Sequence, residues 1–145
     1  MQNITSIDDV KLQYLNFKAT DDIVTQLLNS SEVTLQILTN IYNFSSNEEI
    51  NKVRCSYAFV ILITNKSDER VQLTQENFNS LDSIFKLQYS LEFTGEAKSI
   101  GSDKLKTDIL SITEPFVRQE FLNYIQKSNL PIPLLPLNFW KMTDD

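Results

Sequence analysis

Apolar and polar side chains alternate strictly from Phe85 to Phe93, and this pattern constrains the fold more than any other. Every odd-numbered residue in the stretch is apolar and every even-numbered one is polar or charged. Successive side chains of a strand point to opposite faces, so the alternation predicts a half-buried strand. A second alternation has apolar residues at the odd positions from Val53 to Ile63, and Val60 and Leu62 make its other face apolar too.

Two earlier stretches also have the two-residue period of strands. In residues 33–44 we expect one face to carry Val33, Leu35, Ile37 and Ile41, and the second face to carry Leu38, Tyr42 and Phe44. Polar residues 47–49 then predict a hairpin turn. Near the start the apolar phase shifts by one residue after Tyr14, which is typical of a β-bulge.

The polar, acidic stretch 65–83 is either a long excursion from the sheet or a short extra element, and the sequence leaves both open. After Gly95 the apolar period lengthens to three to five residues, which predicts a helix that fades by residues 128–129. Ser102 or Asp103 is a candidate cap for its start. Pro115 predicts a kink or a restart, with Thr113 as a second cap. The apolar positions of this helix are Leu105, Ile109, Ile112, Phe116, Phe121, Tyr124 and Ile125.

The composition excludes much of enzyme chemistry. The 145 residues are enough for one domain, taken as 1–145, and they contain no histidine, one cysteine and two glycines. Imidazole catalysis, a thiolate zinc site and a glycine-rich phosphate loop are therefore excluded, and no cofactor is expected. Adjacent acidic pairs such as Asp8-Asp9 point to opposite faces of a strand, which argues against a carboxylate hydrolase. Cys55 is interpreted as a small core residue.

Charge and location form a second set of expectations. The net charge of −6 disfavours nucleic acid and anionic lipid, and it is explained either by a basic partner or by solubility alone. No signal peptide is visible and no apolar run is long enough to cross a bilayer. Together with the lone cysteine, this predicts a cytoplasmic protein with no membrane insertion.

Residues 130–140 are almost all apolar, yet they include Pro131, Pro133 and Pro136. Prolines force an extended path, and so apolar a segment must be covered by another surface to avoid aggregation. It either packs on its own sheet as a closing strap or borders a hydrophobic groove. The floor of that groove would be the second face of the sheet, formed by Leu38, Tyr42, Val60 and Leu62.

The last quarter of the chain resembles the SecB family of export chaperones. The resemblance rests on Pro115-Phe116-Val117-Arg118-Gln119, on the Leu130-Pro131 step, and on the ending Leu135-Pro136-Leu137-Asn138-Phe139. It implies an α+β fold with a four-stranded antiparallel sheet and a long C-terminal helix packed on it. It also implies a dimer or dimer of dimers (a homotetramer) with a groove that holds unfolded polypeptide without ATP.

The sequence also departs from this family. Only residues 140–145 follow Asn138-Phe139, where family members continue into a second helix that shapes the groove and leads to the tail that meets the SecA motor. Family members dock SecA on acidic positions of the exposed sheet face, where this chain has Lys86 and Gln88 with Glu92 as the acidic residue. A dedicated chaperone of one client, such as an antitoxin, is therefore an alternative to general protein export.

The resulting hypothesis is a non-enzymatic holdase for exposed hydrophobic segments of unfolded or nascent polypeptides, with SecA as a further partner. Its rivals are the dedicated chaperone and a structural or adaptor protein of the same fold without a client groove. The expected groove residues are Tyr42, Phe44, Leu134, Leu135, Phe139 and Trp140. The expected oligomer interface comprises Arg118, Phe121, Tyr124 and Ile125.

Overall fold

In the residues that the structure describes, four strands form one sheet and a helix follows them. The computed structural model describes residues 4–18, 33–47, 49–65, 68–95 and 103–125. The strands are β1 Ile4–Phe17, β2 Val33–Asn47, β3 Lys52–Asn65 and β4 Phe85–Gly95, and the helix is α1 Asp103–Ile125. This order of strands and helix confirms the predicted α+β class.

All neighbouring strands run antiparallel, in the order β1-β4-β3-β2. The central strands β3 and β4 are the two with the clearest alternation in the sequence. β2 and β3 form the predicted hairpin. The edge strands are β1 and β2, so β2 presents one side of its backbone away from the sheet.

One face of the sheet, the helix face, is covered by α1. The odd-numbered residues from Val53 to Ile61 and from Phe85 to Phe93 point toward the helix and are buried there, with Tyr57, Phe59, Phe85 and Leu87 fully buried. Cys55 belongs to this core. Burial raises the pKa of the Cys55 thiol to about 12, which confirms the interpretation of an inert core residue.

The helix packs through a stripe of residues four apart. Leu105, Ile109, Val117 and Phe121 are buried, and Thr113 completes the stripe. The Thr113 hydroxyl donates to the Ile109 carbonyl at 2.8 Å instead of capping a new helix.

The predicted restart at Pro115 is therefore wrong, since α1 continues through that residue. The missing Pro115 N–H lies on the exposed side of the helix, where its loss costs least. The predicted end at 128–129 lies outside the described residues.

Two bulges decide which face several side chains occupy. In β1 the register shifts between Leu12 and Tyr14, which confirms the predicted bulge. In β2 the register shifts between Tyr42 and Ser45, where Asn43 has a φ of 59°. The extra residue turns Phe44 onto the helix face, so the expectation that Phe44 and Tyr42 share the second face is wrong.

The connection from β3 to β4 crosses the other face of the sheet, the second face. Its residues 68–83, here called the covering segment, contain turns but no helix or strand, so the long excursion is the correct alternative. Val71, Leu73, Phe78 and Leu81 pack on Leu38, Ala58, Val60 and Leu62. The expected groove floor is therefore wrong as an open surface, because Leu38, Val60 and Leu62 are at most 4% exposed beneath this segment.

Within the described ranges, no helix combines the length and the apolar character needed to cross a membrane.

Candidate functional site

Strand β2 holds the covering segment through side chains that contact its main chain. The Gln36 side chain accepts a hydrogen bond from the Val71 N–H at 2.9 Å and donates to the Glu69 carbonyl at 3.3 Å. The Asn40 side chain donates to the Leu73 carbonyl at 2.7 Å. Both amides lie on the second face of β2, because even-numbered residues point there. They fix residues 69–73 beside the edge of the sheet.

Lys86 of β4 holds the far end of the same segment. Its ammonium donates to the Leu81 carbonyl at 2.7 Å and lies 5.3 Å from the centroid of the Phe78 ring. Tyr14 packs edge-on against that ring, with centroids 5.7 Å apart. Burial lowers the pKa of Lys86, since the charged form loses water on this face. Lys86 therefore anchors the segment and is not a free surface charge.

A cavity of about 510 Å³ opens along the outer edge of β2. Residues 38–41 form its floor, residues 70–73 of the covering segment form one wall, and the first turns of α1 form the other. The volume lies within the roughly 300–1,000 Å³ of typical ligand sites. The helix wall is lined by Asp103, Lys106, Thr107 and Leu110.

Backbone groups of β2 point outward into this region. The Ile37 carbonyl accepts a hydrogen bond from the Arg70 guanidinium at 3.1 Å, and the Ile41 N–H donates to the Asn40 side chain at 2.8 Å. Among the described residues these groups lie on the outer edge of the sheet, where side chains of the chain itself bond to both. Extended peptides add to the edge strand of a sheet in many recognition domains. Among the described lining residues of the cavity, Arg70 and Lys106 are cationic and Asp103 is anionic.

The two expected groove residues in the described ranges do not meet. Tyr42 lines a separate cavity of about 320 Å³ on the second face, beside Phe78 and Gln88. Its hydroxyl donates to the Gln88 side chain at 2.9 Å, and burial raises its pKa. Phe44 is half-buried on the helix face. Leu134, Leu135, Phe139 and Trp140 lie outside the described residues.

The expected oligomer residues occupy different environments on α1. Arg118 bonds to Glu114 at 2.6 Å, one turn earlier, and is partly exposed. Phe121 is fully buried against Phe85, with ring centroids 5.7 Å apart. Tyr124 is 36% exposed and contacts Phe17 and Phe85. The side chain of Ile125 lies outside the described residues.

The uncovered part of the second face is polar, and its charges are paired. Lys52 binds Asp8, and Arg54 binds Glu92 on the neighbouring strand. Hydrogen bonds from Lys52 and then Thr94 lower the pKa of Asp8. Glu92, the acidic residue noted on this strand, is therefore neutralised within the sheet.

Several residues that shape the site were not predicted from the sequence. Gln36 and Asn40 lie among both polar and apolar residues on the second face of β2, so the sequence carries no clear signal that would have identified them. Arg70 lies in a stretch whose structure the sequence left open. No group of three or more histidine, cysteine, aspartate or glutamate side chains within the described ranges could hold a metal ion.

This chain is similar to known proteins in its structure and not detectably in its sequence. No protein-family model matches the sequence, and no curated protein is significantly similar to it. Solved structures do match, among them the SecB-like chaperone Rv1957 of Mycobacterium tuberculosis in complex with a ChAD peptide from the HigA1 antitoxin Rv1956. The match covers 91% of this chain and 88% of that chain, with a TM-score of 0.52 and 11% identity.

The chain has a SecB-like fold. The sheet order, the helix on one face and the extent of the match agree with the architecture that the C-terminal resemblance implied. In this fold, the cavity lies at the edge strand β2, and the covering segment occupies the second face of the sheet.

Proposed function

We propose that this SecB-like chain is an ATP-independent chaperone that binds unfolded polypeptide in the cavity along β2. The observation that carries the proposal is the position of that cavity, which lies along the outer edge strand of the described sheet and is bounded by two walls. An extended chain lying there would meet outward backbone groups of β2 and the apolar side chains Val71, Leu73 and Leu110. Such binding needs apolar contact and main-chain hydrogen bonds, and no catalytic group.

The peptide seen on the SecB-like chaperone Rv1957 supports polypeptide binding by this fold. It also favours a dedicated client as the second candidate, because that peptide derives from an antitoxin. General protein export would use SecA, and the paired state of Asp8 and Glu92 leaves fewer free carboxylates on the uncovered part of the second face for such docking. The dedicated-client alternative is therefore the better supported of the two, with a cytoplasmic location in either case.

We also propose a homo-oligomer, a dimer or a dimer of dimers. Phe116 and Tyr124 of α1 are 43% and 36% exposed, whereas Arg118 lies on another side of the helix and pairs with Glu114. Phe121 contributes to the protomer core instead, because its side chain is fully buried. An adaptor protein with the same fold would share this oligomer but would not bind unfolded chains.

The test is the aggregation of a chemically unfolded protein diluted into buffer without ATP, with the mass of this protein measured by light scattering. We expect suppression at a near-stoichiometric ratio by an oligomer. Thr107→Trp fills the cavity from its helix wall and should reduce suppression severalfold. Ser111→Trp places the same ring one turn further along α1, outside the cavity lining, and should suppress as the wild type does.

Absence of suppression by the wild-type protein would favour the adaptor or a chaperone restricted to one client. Equal suppression by the two tryptophan variants would contradict the cavity as the binding site.

A further inference from the structure

The covering segment contacts the second face in the way a bound polypeptide would. Three hydrogen bonds from Gln36 and Asn40 reach main-chain atoms of Glu69, Val71 and Leu73. Main-chain atoms are common to all residues, so these amides can hold any extended chain in the same position. Such contacts are typical of peptide sites that accept many sequences.

Apolar contacts complete this mode of binding. Val71 and Leu73 are two residues apart, and both pack toward Leu38 and its neighbours Val60 and Leu62. Phe78 and Leu81 extend the contact further along the face. The face beneath therefore has an apolar strip flanked by side-chain amides that bond to main-chain atoms, and the protein's own chain occupies it.

We propose that residues 68–83 are an internal occupant of a polypeptide-binding face, and that a client displaces them. The inference rests on the proposed function, since the incoming chain enters at the cavity along β2. Residues 70–73 form a wall of that cavity, so they are the first part of the covering segment that a client contacts. The client class is an extended segment with large apolar residues at alternate positions, which takes over the contacts of Val71 and Leu73.

This arrangement keeps the apolar strip covered in the absence of a client. The segment is tethered at both ends, to β3 and to β4, so it closes again when the client leaves. The apparent affinity for a client falls by the fraction of molecules in which the face is open. Residues that anchor the far end of the segment, such as Lys86, therefore set the affinity from outside the β2 cavity.

Hydrogen exchange on the wild-type protein tests the displacement directly. The probe is reduced and carboxymethylated α-lactalbumin, a chain that stays unfolded in buffer. We expect its addition to accelerate exchange across residues 69–73, where Gln36 holds the Val71 N–H, and to leave the β3–β4 ladder near Leu87 unchanged. Unchanged or slowed exchange across 69–73, with the lactalbumin bound, would overturn the inference while the proposed function stands.

A variant tests the same inference by affinity. Phe78→Ala removes the ring held by Lys86 and Tyr14 without changing the lining of the β2 cavity. It should bind the lactalbumin about tenfold more tightly, because the face is open in more molecules. Ile50→Ala removes an apolar side chain from the exposed hairpin and should bind as the wild type does. Circular dichroism checks that α1 and the sheet are retained.

The remaining outcomes are also decisive. Equal binding by Phe78→Ala and the wild type would overturn the inference alone. Failure of both proteins to bind lactalbumin would overturn the inference and would also contradict general holdase activity.

Discussion

The ammonium of Lys86 donates a hydrogen bond to the carbonyl of Leu81 at 2.7 Å, and so joins the centre of the sheet to the segment that crosses it. Lys86 is polar in a strand whose alternation places it on the second face, and it is 4% exposed there. A lysine buried to this extent is tolerated when its charge finds an acceptor and an aromatic ring. The contact explains how a segment without helix or strand keeps one position.

Replacement of this anchor should destabilise the protein. Lys86→Met keeps the apolar stem but leaves the Leu81 carbonyl without its donor and removes the cation from the Phe78 ring. We expect a loss of about 1–2 kcal/mol in the free energy of unfolding, measured by urea denaturation. Lys11→Met on β1, where the lysine is exposed, should change it by less than about 0.5 kcal/mol. A Lys86→Met protein as stable as the wild type would contradict the anchoring role.

The bulge in β2 depends on the positive φ of Asn43. A β-branched residue resists this conformation by about 1–2 kcal/mol, whereas glycine adopts it freely. Asn43→Val should therefore lower the free energy of unfolding by that amount, and Asn43→Gly should leave it nearly unchanged. Thermal denaturation of the two variants provides the measurement. Equal stability of both would contradict the positive φ at this position.

The helix stripe and the exposed side of α1 should respond differently to truncation. Phe121→Ala opens a cavity against Phe85 and should cost about 3–5 kcal/mol of unfolding free energy. Phe116→Ala removes a side chain that is 43% exposed and should cost less than about 1 kcal/mol in the protomer. Light scattering on Phe116→Ala then reports whether this residue supports the oligomer. Similar costs for the two variants would contradict the observed packing of α1.

The free energy of unfolding should fall in alkaline solution because the Cys55 thiol is buried. The thiol has a pKa of about 12 in the folded protein and about 9.0 when unfolded. Between these values the unfolded chain binds fewer protons than the folded one, so unfolding becomes more favourable as the pH rises, by up to about 1.4 kcal/mol per pH unit. Urea denaturation of the wild type and of Cys55→Ala at a series of pH values tests this. The variant should show the smaller slope, and an equal slope would contradict the burial of the thiol.

Strict periodicity made the strands and the helix predictable from the sequence. The odd-numbered residues of β3 and β4 had to share a face, and the phase shift after Tyr14 required a bulge. The bulge at Asn43 was not predicted, because Tyr42 and Phe44 are both apolar and fit either face. Pro115 suggested a break in α1, but an exposed position and packing of the flanking stripe allow the helix to continue through it.

The candidate site was harder to predict, for a physical reason. The cavity depends on where residues 68–83 cross the sheet, and their polar sequence has no period that indicates a surface. Gln36 and Asn40 alternate with Leu38 and Tyr42 on this face of β2, and such a pattern is as typical of a solvent-exposed face as of a covered one. The strand patterns alone therefore predict a groove floor at Leu38, Val60 and Leu62, which is a surface that residues 68–83 cover.

The most direct test of the account is photo-cross-linking from the wall of the β2 cavity. A benzophenone side chain replaces Thr107, which lines the cavity, or Gln119, which lies three turns further along α1 on an exposed position. The protein is then irradiated with reduced and carboxymethylated α-lactalbumin in the absence of ATP. We expect strong cross-linking from position 107 and little from position 119. Equal cross-linking from both positions would contradict polypeptide binding at the edge of β2, and cross-linking from neither would contradict binding of unfolded chains in general.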